Sequence, residues 1–550
     1  MPNSKYVLGI DYGTESGRVM LVNAGNGEEI AWTVVPFSNG VMDRQLPDGT
    51  PLGADYALQD AADYLKVLTE GIPEVLRSSN IEGADVGGIG VDFTSCTVMP
   101  CKRDGTPLPA LPEFAGNPHA WVKLWKHHAA QPQATRINEV AGERGEAFVE
   151  LYGGGYSSEW FFSKVLETLE KAPEIYAAAD RFIEAGDWLV WRLTGEETRS
   201  ECAAGYKGMW IKGTGWPSPE FFRALNPGLE NVIAEKVEGP LVPLGGKAGL
   251  LTAEMAEATG LAAGTPVAAS VIDAHAAGPA CSMAQSGRLA IIMGTSLCHM
   301  LLGDDKKIVE GCGGLVEDGI IPGFWGYEAG QAAAGDIYGW FFKTGLTAEI
   351  EREAVERNMA PEDWLTEKAA ALEAGQSGLV ALDWWNGSRS VLMDSELRGV
   401  IVGLSLTTRP EEIYRALIEA TAFGTRVVID AFESQGVPIR DIVACGGLAE
   451  KSPLVMQIFA DVSGRQILLP RSFQASGLGA AIHGAVAAGH YPDFGSAIDS
   501  MAGLQETSYR PNPAAHAVYS KLYAEYVILH DYFGRGANDV MKRLKELRRG

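Results

Sequence analysis

The chain has 550 residues, a length at which one hydrophobic core seldom keeps growing, so we expect two domains with a cleft between them. Hydrophobic residues make up 46% and charged residues 21%, a composition that excludes a disordered or fibrous protein. The net charge of −25 argues against binding to nucleic acid or to an anionic membrane, because both partners need a basic surface. A polyanionic substrate such as ATP would need backbone N–H groups, a few placed cations and a metal ion.

The cysteines and the N-terminus bear on the cellular compartment. The seven cysteines are an odd number and form no C-x-x-C pair, which favours a reducing cytoplasm over a zinc or redox site. Residues 1–5 lead directly into an apolar strand, and the most apolar long stretch, 261–284, is interrupted by Pro266, Asp273 and His275. We therefore expect a cytoplasmic protein with no export signal and no membrane span.

The first predicted element is a β-hairpin with a glycine-rich tip, over residues 6–22. Thr14 and Ser16 add hydroxyl donors of the kind that bind phosphate oxygens. Asp11 could hold a magnesium ion through water, and Arg18 could neutralise charge on a transferring phosphoryl group. Considered alone, an ordinary hairpin turn is the better explanation, because such short patterns are common by chance.

The rest of the first half alternates strand-like and helix-like segments, which is typical of an α/β domain. Residues 86–92 read as a strand, and residues 159–171 and 187–193 read as helices. The adjacent His127 and His128 cannot both face one metal from a regular element, so we interpret them as surface residues.

Asp273 follows a strand of small and branched residues and precedes an alanine-rich helix. A base that deprotonates a hydroxyl could lie at such a strand end. Spacing alone slightly favours helix capping, since aspartate is a good N-cap. We interpret the nearby His275 as a packed histidine rather than a second base.

A second predicted hairpin, over residues 289–302, repeats the pattern of the first and has Gly294, Thr295 and Ser296 at its tip. The repeat near the start of each half predicts a duplicated, two-lobed fold. We place the domains at 1–280 and 281–550. Two such tips could clamp one phosphate chain from opposite sides.

Several common site motifs are absent from the sequence. No G-x-x-x-x-G-K-[ST] occurs, and no full G-x-G-x-x-G, so neither a P-loop nor a dinucleotide fold is indicated. No G-x-S-x-G, H-E-x-x-H or calcium-loop pattern occurs either, which argues against a serine hydrolase, a zinc protease or an EF-hand.

A strand over residues 441–447 is predicted to end in Gly446 and Gly447. Paired glycines would let a flat adenine ring lie against the backbone, although a plain strand-to-helix turn fits equally well. The next helix begins at Ser452 and Pro453, a suitable N-cap and first helical residue.

Two further helices are predicted in the second half. One covers residues 411–434, and a final helical run of mixed charge covers 514–549. We interpret the final run as a solvated outer layer.

The segments GIDYGTESGR, IIMGTS and ACGGLAEKSPLVMQIFADVSGRQI, together with the Asp273 strand, resemble the FGGY family of carbohydrate kinases over nearly the whole chain. This resemblance implies an α/β, two-lobed actin-like (ribonuclease-H-like) fold with Mg-ATP in the interlobe cleft. It also implies that Asp273 is the catalytic base, which reverses the preference for capping. The implied ATP-binding residues are Gly13, Thr14, Ser16 and Arg18 in the first phosphate hairpin, Gly294, Thr295 and Ser296 in the second, and Gly446, Gly447 and Ser452 at the adenosine, with Mg²⁺ held by Asp11.

Residues 88–100, 111–128 and 271–279 resemble the members of the family that phosphorylate ketopentoses. We therefore expect ATP-dependent phosphorylation of L-ribulose at its 5-hydroxyl. Packing or solvation would explain Trp125 and Glu328 equally well if each were seen alone. Cys96 departs from the smaller or hydroxyl residue usual near that position. The residues implied to line the sugar pocket are Ser95, Cys96, Trp125, Lys207, Asp273 and Glu328.

Two alternatives stay open. The acceptor could be D-ribulose, xylulose or ribitol, because the hydrogen bonds of the pocket decide the sugar. The chain could instead be a non-catalytic, actin-like nucleotide-binding sugar sensor, although the retained Asp273 argues against that. The expected partners are a sugar and Mg-ATP, with a homodimer left open.

Overall fold

The computed structural model describes residues 5–549. Residues 1–4, where the absence of an export signal is predicted, lie outside the described residues, as does Gly550. Within the described part of the chain, no helix has the length and apolar character that crossing a membrane requires.

The first half alternates strands and helices, as predicted. Its strands are β1 (Tyr6–Tyr12), β2 (Ser16–Asn23), β3 (Glu29–Pro36), β4 (Leu58–Gln59), β5 (Val86–Phe93), β6 (Val98–Cys101), β7 (Val122–Lys123), β8 (Arg181–Glu184), β9 (Arg199–Ser200), β10 (Leu241–Val242), β11 (Lys247–Leu250), β12 (Pro266–Ala268) and β13 (Val271–Ile272). Its helices are α1 (Ala61–Lys66), α2 (Ile72–Ser79), α3 (Gln131–Arg144), α4 (Phe148–Leu151), α5 (Phe161–Lys171), α6 (Pro173–Ala178), α7 (Ala185–Thr194), α8 (Glu201–Lys207), α9 (Pro219–Leu225), α10 (Ala253–Thr259) and α11 (Asp273–Ala280).

The second half continues the alternation. Its strands are β14 (Arg288–Met293), β15 (Leu297–Gly303), β16 (Gly314–Glu317), β17 (Trp325–Gln331), β18 (Val380–Leu382), β19 (Val400–Val402), β20 (Asp441–Cys445), β21 (Ile467–Pro470) and β22 (Leu504–Tyr509). Its helices are α12 (Gly335–Thr344), α13 (Ala348–Glu356), α14 (Pro361–Ala370), α15 (Pro410–Ser434), α16 (Gly447–Lys451), α17 (Pro453–Ser463), α18 (Ala475–Ala487), α19 (Phe494–Met501), α20 (Pro513–Gly534) and α21 (Val540–Arg549).

The two large sheets share one topology. The first has the order β11-β12-β5-β1-β2-β3, and β13 also pairs with β5. The second has the order β16-β17-β15-β14-β20-β21-β22. In each sheet the predicted hairpin is antiparallel, and its first strand pairs in parallel with a later strand: β1 with β5, and β14 with β20. The similarity of the two hairpins thus extends to the strands around them.

Helix α18 comes from the second half but packs against β1 and β5 of the first sheet and against α11. Glycines make this close approach feasible. A Cβ atom on Gly9 would lie 1.9 Å from the carbonyl oxygen of Gly477, and a Cβ atom on Gly479 would lie 1.6 Å from that of Ala276. A buried apolar cluster with residues from both halves, including Met20 and Leu478, surrounds this contact.

The final helical run differs from the prediction in two ways. It is divided into α20 and α21 by residues 535–539. It is also not only an outer layer, because Tyr519 and Tyr526 are buried, and the Tyr526 hydroxyl donates to Asp383 at 2.7 Å. The interpretation as a solvated layer is therefore wrong for the inner face of α20.

Candidate active site

The two glycine-containing tips, which the sequence predicts to hold phosphate, lie at the ends of matching hairpins. In the first, the Gly13 N–H donates to the carbonyl of Ser16 at 3.0 Å, and in the second the Gly294 N–H donates to the carbonyl of Ser296 at 3.0 Å. The tips are partly or fully exposed. Their remaining N–H and hydroxyl groups are suited to binding an anion.

Arg18 lies opposite Asp11 in the first hairpin, since the two residues are register partners on β2 and β1. Arg18 Nη1 lies 3.1 Å from Asp11 Oδ2. The cation predicted to neutralise charge and the carboxylate predicted to hold the metal are therefore paired with each other.

Trp125 connects the predicted sugar pocket to the first phosphate tip. Its indole Nε1 donates to Thr14 Oγ1 at 3.2 Å, and the ring is half-buried. One residue predicted to bind sugar therefore touches one residue predicted to bind phosphate.

Asp273 begins helix α11 directly after the short strand β13. It does not cap the helix, because Ile272 occupies the N-cap position, and its Oδ1 accepts instead from the N–H of Ala274 at 2.7 Å. Burial, together with the charges of Asp11 and Glu328, raises the pKa of Asp273 to about 7. A carboxylate with a pKa near neutrality is well matched to general-base catalysis.

Lys207 and Glu328 form an ion pair between the halves of the chain. Lys207 ends α8, Glu328 lies on β17, and Nζ is 2.8 and 2.9 Å from the two carboxylate oxygens. Burial opposes the ionisation of Glu328, but Lys207 and His275 outweigh it and hold its pKa well below the usual range. His275 is fully buried against the ring of Tyr206, in agreement with its interpretation as a packed histidine.

Cys96 has a left-handed backbone, with φ of 57°, and its side chain is buried. The buried Lys164 ammonium donates to the Cys96 carbonyl and, at 2.8 Å, to that of Leu124, next to Trp125. Lys164 thus joins the loop that contains Ser95 and Cys96 to the segment that contains Trp125. Ser95 is half-buried.

The predicted adenosine glycines follow β20. Gly446 has φ of 89°, and a Cβ atom there would lie 2.7 Å from the carbonyl oxygen of Met293, next to the second phosphate tip. Apart from its chain neighbours and the backbone of its own helix, no atom of the described structure lies within 4 Å of a Cβ atom built on Gly447, so the backbone is open on that side. Ser452 caps α17 by accepting from the Val455 N–H at 3.4 Å.

Comparison with known proteins decides the family. Residues 6–278 match the N-terminal domain, and residues 289–488 the C-terminal domain, of the FGGY family of carbohydrate kinases. The chain belongs to the FGGY family. It is accordingly a sugar kinase, and ATP is its phosphoryl donor.

Two relatives of this FGGY kinase, both named ribulokinase, are similar over nearly their full length. The one from Geobacillus thermodenitrificans is 52% identical over 546 residues, which cover 98% of this chain and 97% of the relative. The one from Halalkalibacterium halodurans is 52% identical over 550 residues, with 99% and 98% covered.

A solved structure of a ligand-bound xylulose kinase from Lactobacillus acidophilus superposes with a TM-score of 0.79 over 96% of this chain and 98% of that chain. At 20% sequence identity it bears on the fold alone. The predicted two-lobed, actin-like α/β fold is confirmed.

Asp92 is not among the predicted site residues of this FGGY kinase, yet it is the register partner of Asp11 on the parallel strand β5. It is fully buried, and among the described residues neither of its carboxyl oxygens has a hydrogen-bond partner. Burial raises its pKa well above the usual range, and the nearby charges of Asp11 and Asp273 add to the effect. The sequence feature that could have identified Asp92 is an aspartate near the end of a strand whose other residues are apolar or glycine.

The interpretation of His127 as a surface residue is wrong. Its ring is fully buried, and Nε2 lies 2.9 Å from Glu167, which also accepts from Lys123 at 2.7 Å. Burial lowers the pKa of His127 to about 4. The partner lies on α5, so the local sequence contains no sign of the pair, whereas His128 is partly exposed as predicted.

Proposed function

We propose that this kinase transfers the γ-phosphoryl group of ATP to the 5-hydroxyl of L-ribulose and releases L-ribulose 5-phosphate, a step of L-arabinose catabolism. The observation that carries the proposal is the 52% identity over nearly the whole chain to relatives named ribulokinase. Two observations support the proposal: the charges of Lys207 and Glu328 act on Asp273, and the Trp125 indole donates to Thr14 of the first phosphate tip.

Asp273 is proposed to accept the proton of the 5-hydroxyl as that oxygen attacks the γ-phosphorus. Its raised pKa, about 7, means that it binds a proton readily while still being ionised in a good share of molecules at neutral pH. Lys207 and Glu328 are proposed to hold other sugar oxygens, with the ammonium as donor and the carboxylate as acceptor. Ser95, Cys96 and Trp125 would complete the pocket.

ATP is proposed to lie between the lobes. The hairpin tips containing Gly13, Thr14 and Ser16 and Gly294, Thr295 and Ser296 would hold its phosphates from opposite sides. The open space at Gly447 supports an adenine ring near Gly446 and Ser452. Phosphoryl transfer needs mainly positioning and charge stabilisation, which such a clamp supplies.

Magnesium is proposed to be held by Asp11, through water. The unpaired buried oxygens of Asp92 beside Asp11 fit a nearby cation. The described residues contain no ready group of three or more histidine, cysteine or acidic ligands, which favours attachment through water and phosphate oxygens. When bound, magnesium would neutralise charge on the phosphate oxygens.

A sugar panel tests the proposed acceptor. ADP release would be measured with L-ribulose, D-ribulose, D- and L-xylulose, ribitol and glycerol, and the product position determined by NMR. We expect the highest kcat/KM with L-ribulose and phosphate on the 5-oxygen. Dominant activity on xylulose or a polyol would refute the proposed sugar, and ATP binding without any sugar turnover would favour a sensor. The domain division, the cytoplasmic location and a homodimer stay predictions.

A further inference from the structure

Arg389 lies in the segment between β18 and β19, and this segment is attached to the strand that contains Glu328. The N–H of Ser390 donates to the carbonyl of Gly330 at 2.9 Å, and the N–H of Gly330 donates to Ser390 Oγ at 3.1 Å. Gly330 follows Glu328 by two residues on β17. Alternate residues of a strand face the same side of the sheet, so positions 328 and 330 share a face.

The side chain of Arg389 occupies the space that a side chain at Gly330 would need. A Cβ atom on Gly330 would lie 3.2 Å from Arg389 Cδ and 3.5 Å from its Nη1. The guanidinium therefore lies on the face of β17 that contains Glu328. Burial opposes the charge on Arg389, but the nearby carboxylates of Glu159 and Glu328 outweigh it and raise the pKa of the guanidinium, so Arg389 lies within electrostatic range of Glu328, a predicted pocket residue.

The guanidinium of Arg389 has unused hydrogen-bonding capacity. Within residues 5–549 it forms one ion pair, in which Nη2 lies 3.6 Å from Glu159 Oε1, too far for a hydrogen bond. None of its five N–H donors makes a hydrogen bond to a described residue, and the side chain is only 27% exposed. Arg415 shows the contrast, because its guanidinium donates to Glu419, Ala369 and Tyr519.

We propose that Arg389 is a sugar-binding residue contributed by the second lobe, which donates hydrogen bonds to hydroxyl or carbonyl oxygens of the acceptor. The charge of Glu328 acts on both Asp273 and Arg389, so both groups lie within electrostatic range of Glu328. A polyhydroxylated chain that reaches from Asp273 past Glu328 meets Arg389 next. Arg389 therefore contacts the part of the ketose away from the reacting hydroxyl.

This sugar-binding role rests on the proposed function. A second possible role for Arg389 is structural, as one partner of an ion pair that only links the two halves of the chain. Glu159 belongs to the first half of the chain and Arg389 to the second, so their ion pair joins the two halves. A link would need only opposite charges at the two positions. Sugar binding instead requires the hydrogen-bond donors of a guanidinium at position 389, beside Gly330.

The test compares Arg389→Ala and Arg389→Lys with wild type, measuring kcat and KM for L-ribulose and for ATP. Sugar binding without nucleotide would be followed by tryptophan fluorescence. We expect the sugar KM and Kd to rise roughly 10- to 100-fold in Arg389→Ala, since a charged donor is lost, and less in Arg389→Lys. The ATP KM should stay within about twofold. The control is Arg535→Ala, which breaks an exposed ion pair with Asp531 on α20.

The charge-swapped variant Glu159→Arg/Arg389→Glu separates the two roles. If Arg389 binds sugar, the swap leaves the sugar KM high; recovery to within about threefold of wild type would make Arg389 a link only and overturn the inference. An unchanged sugar KM in Arg389→Ala would overturn it too. Should Arg389→Ala not fold, Arg389→Lys and Arg389→Gln supply the same comparison. Wild-type preference for another sugar would refute L-ribulose alone, and the variants would then be compared on that sugar.

Discussion

Lys207 and Glu328 meet across the cleft with Nζ 2.8 and 2.9 Å from the two oxygens of one carboxylate, and both side chains are largely buried. The pair joins the end of α8 to the middle of β17. Under the proposed role of these two residues in sugar binding, the pair would couple that binding to the relative position of the two halves of the chain.

Lys207→Met should destabilise the protein by about 3 kcal/mol, because breaking a buried ion pair leaves the other charge without its partner. It should also raise the sugar KM by at least tenfold, since a charged donor to the sugar is lost. Thermal unfolding and steady-state kinetics would measure the two effects. The double variant Lys207→Met/Glu328→Leu serves as the control: stability should largely return while the sugar KM stays high. Loss of stability with an unchanged KM would mean that the pair is only structural.

Asp273→Asn should reduce kcat by roughly 10²- to 10⁴-fold, the usual contribution of a positioned general base. The amide keeps the shape of the side chain, so ATP affinity by calorimetry should remain within a few-fold of wild type. Asp499→Asn, at an exposed position on α19, is the matched control and should be fully active. A variant at position 273 that retains more than a tenth of kcat would identify Asp273 as a binding residue rather than the base.

The pH dependence follows from the same carboxyl group. Because burial raises the pKa of Asp273 to about 7, the group is protonated and cannot act as a base below that pH. We expect kcat/KM for the sugar to fall about tenfold per pH unit below pH 7 and to level off above it. Glu328→Gln should move this limb to lower pH, since a negative charge that raises the pKa of Asp273 is removed. A flat profile down to pH 5.5 would contradict the assignment.

Local patterns predict the elements of this fold well. The structure contains the two hairpins, the strand predicted at 86–92 and the helix predicted at 411–434. These elements are predictable because the spacing of apolar residues and the glycine turns are local signals. The role proposed for Asp273 comes only from family resemblance, because its sequence neighbours alone make an aspartate before a helix look like a cap.

Other site features depend on contacts that local sequence does not contain. Asp92 is brought beside Asp11 by parallel pairing of strands about 80 residues apart in sequence. The buried His127 pairs with Glu167, 40 residues away, and Arg389 lies beside Gly330, which is 59 residues away in sequence. Long-range pairing decides burial and partners, so these residues could not be assigned from composition or spacing.

The contact between α18 and α11 gives a prediction about how the fold positions the base. Gly479→Ala would place a methyl group 1.6 Å from the Ala276 carbonyl oxygen, and the backbone on both sides leaves no flexible atom to move away. The helices must separate, so we expect a loss of about 3 kcal/mol or more and a lower kcat, because α11 begins at Asp273. Differential scanning calorimetry and kinetics would measure both.

Gly142→Ala is the matched control for this substitution. Gly142 lies inside α3, and apart from its chain neighbours and the backbone of α3 itself, no atom of the described structure lies within 4 Å of a Cβ atom built there. Alanine is the better helix former, so this variant should gain up to about 1 kcal/mol and keep full activity. If Gly479→Ala were as stable and active as Gly142→Ala, the two helices would have room to move apart, and the position of Asp273 would not depend on their close contact.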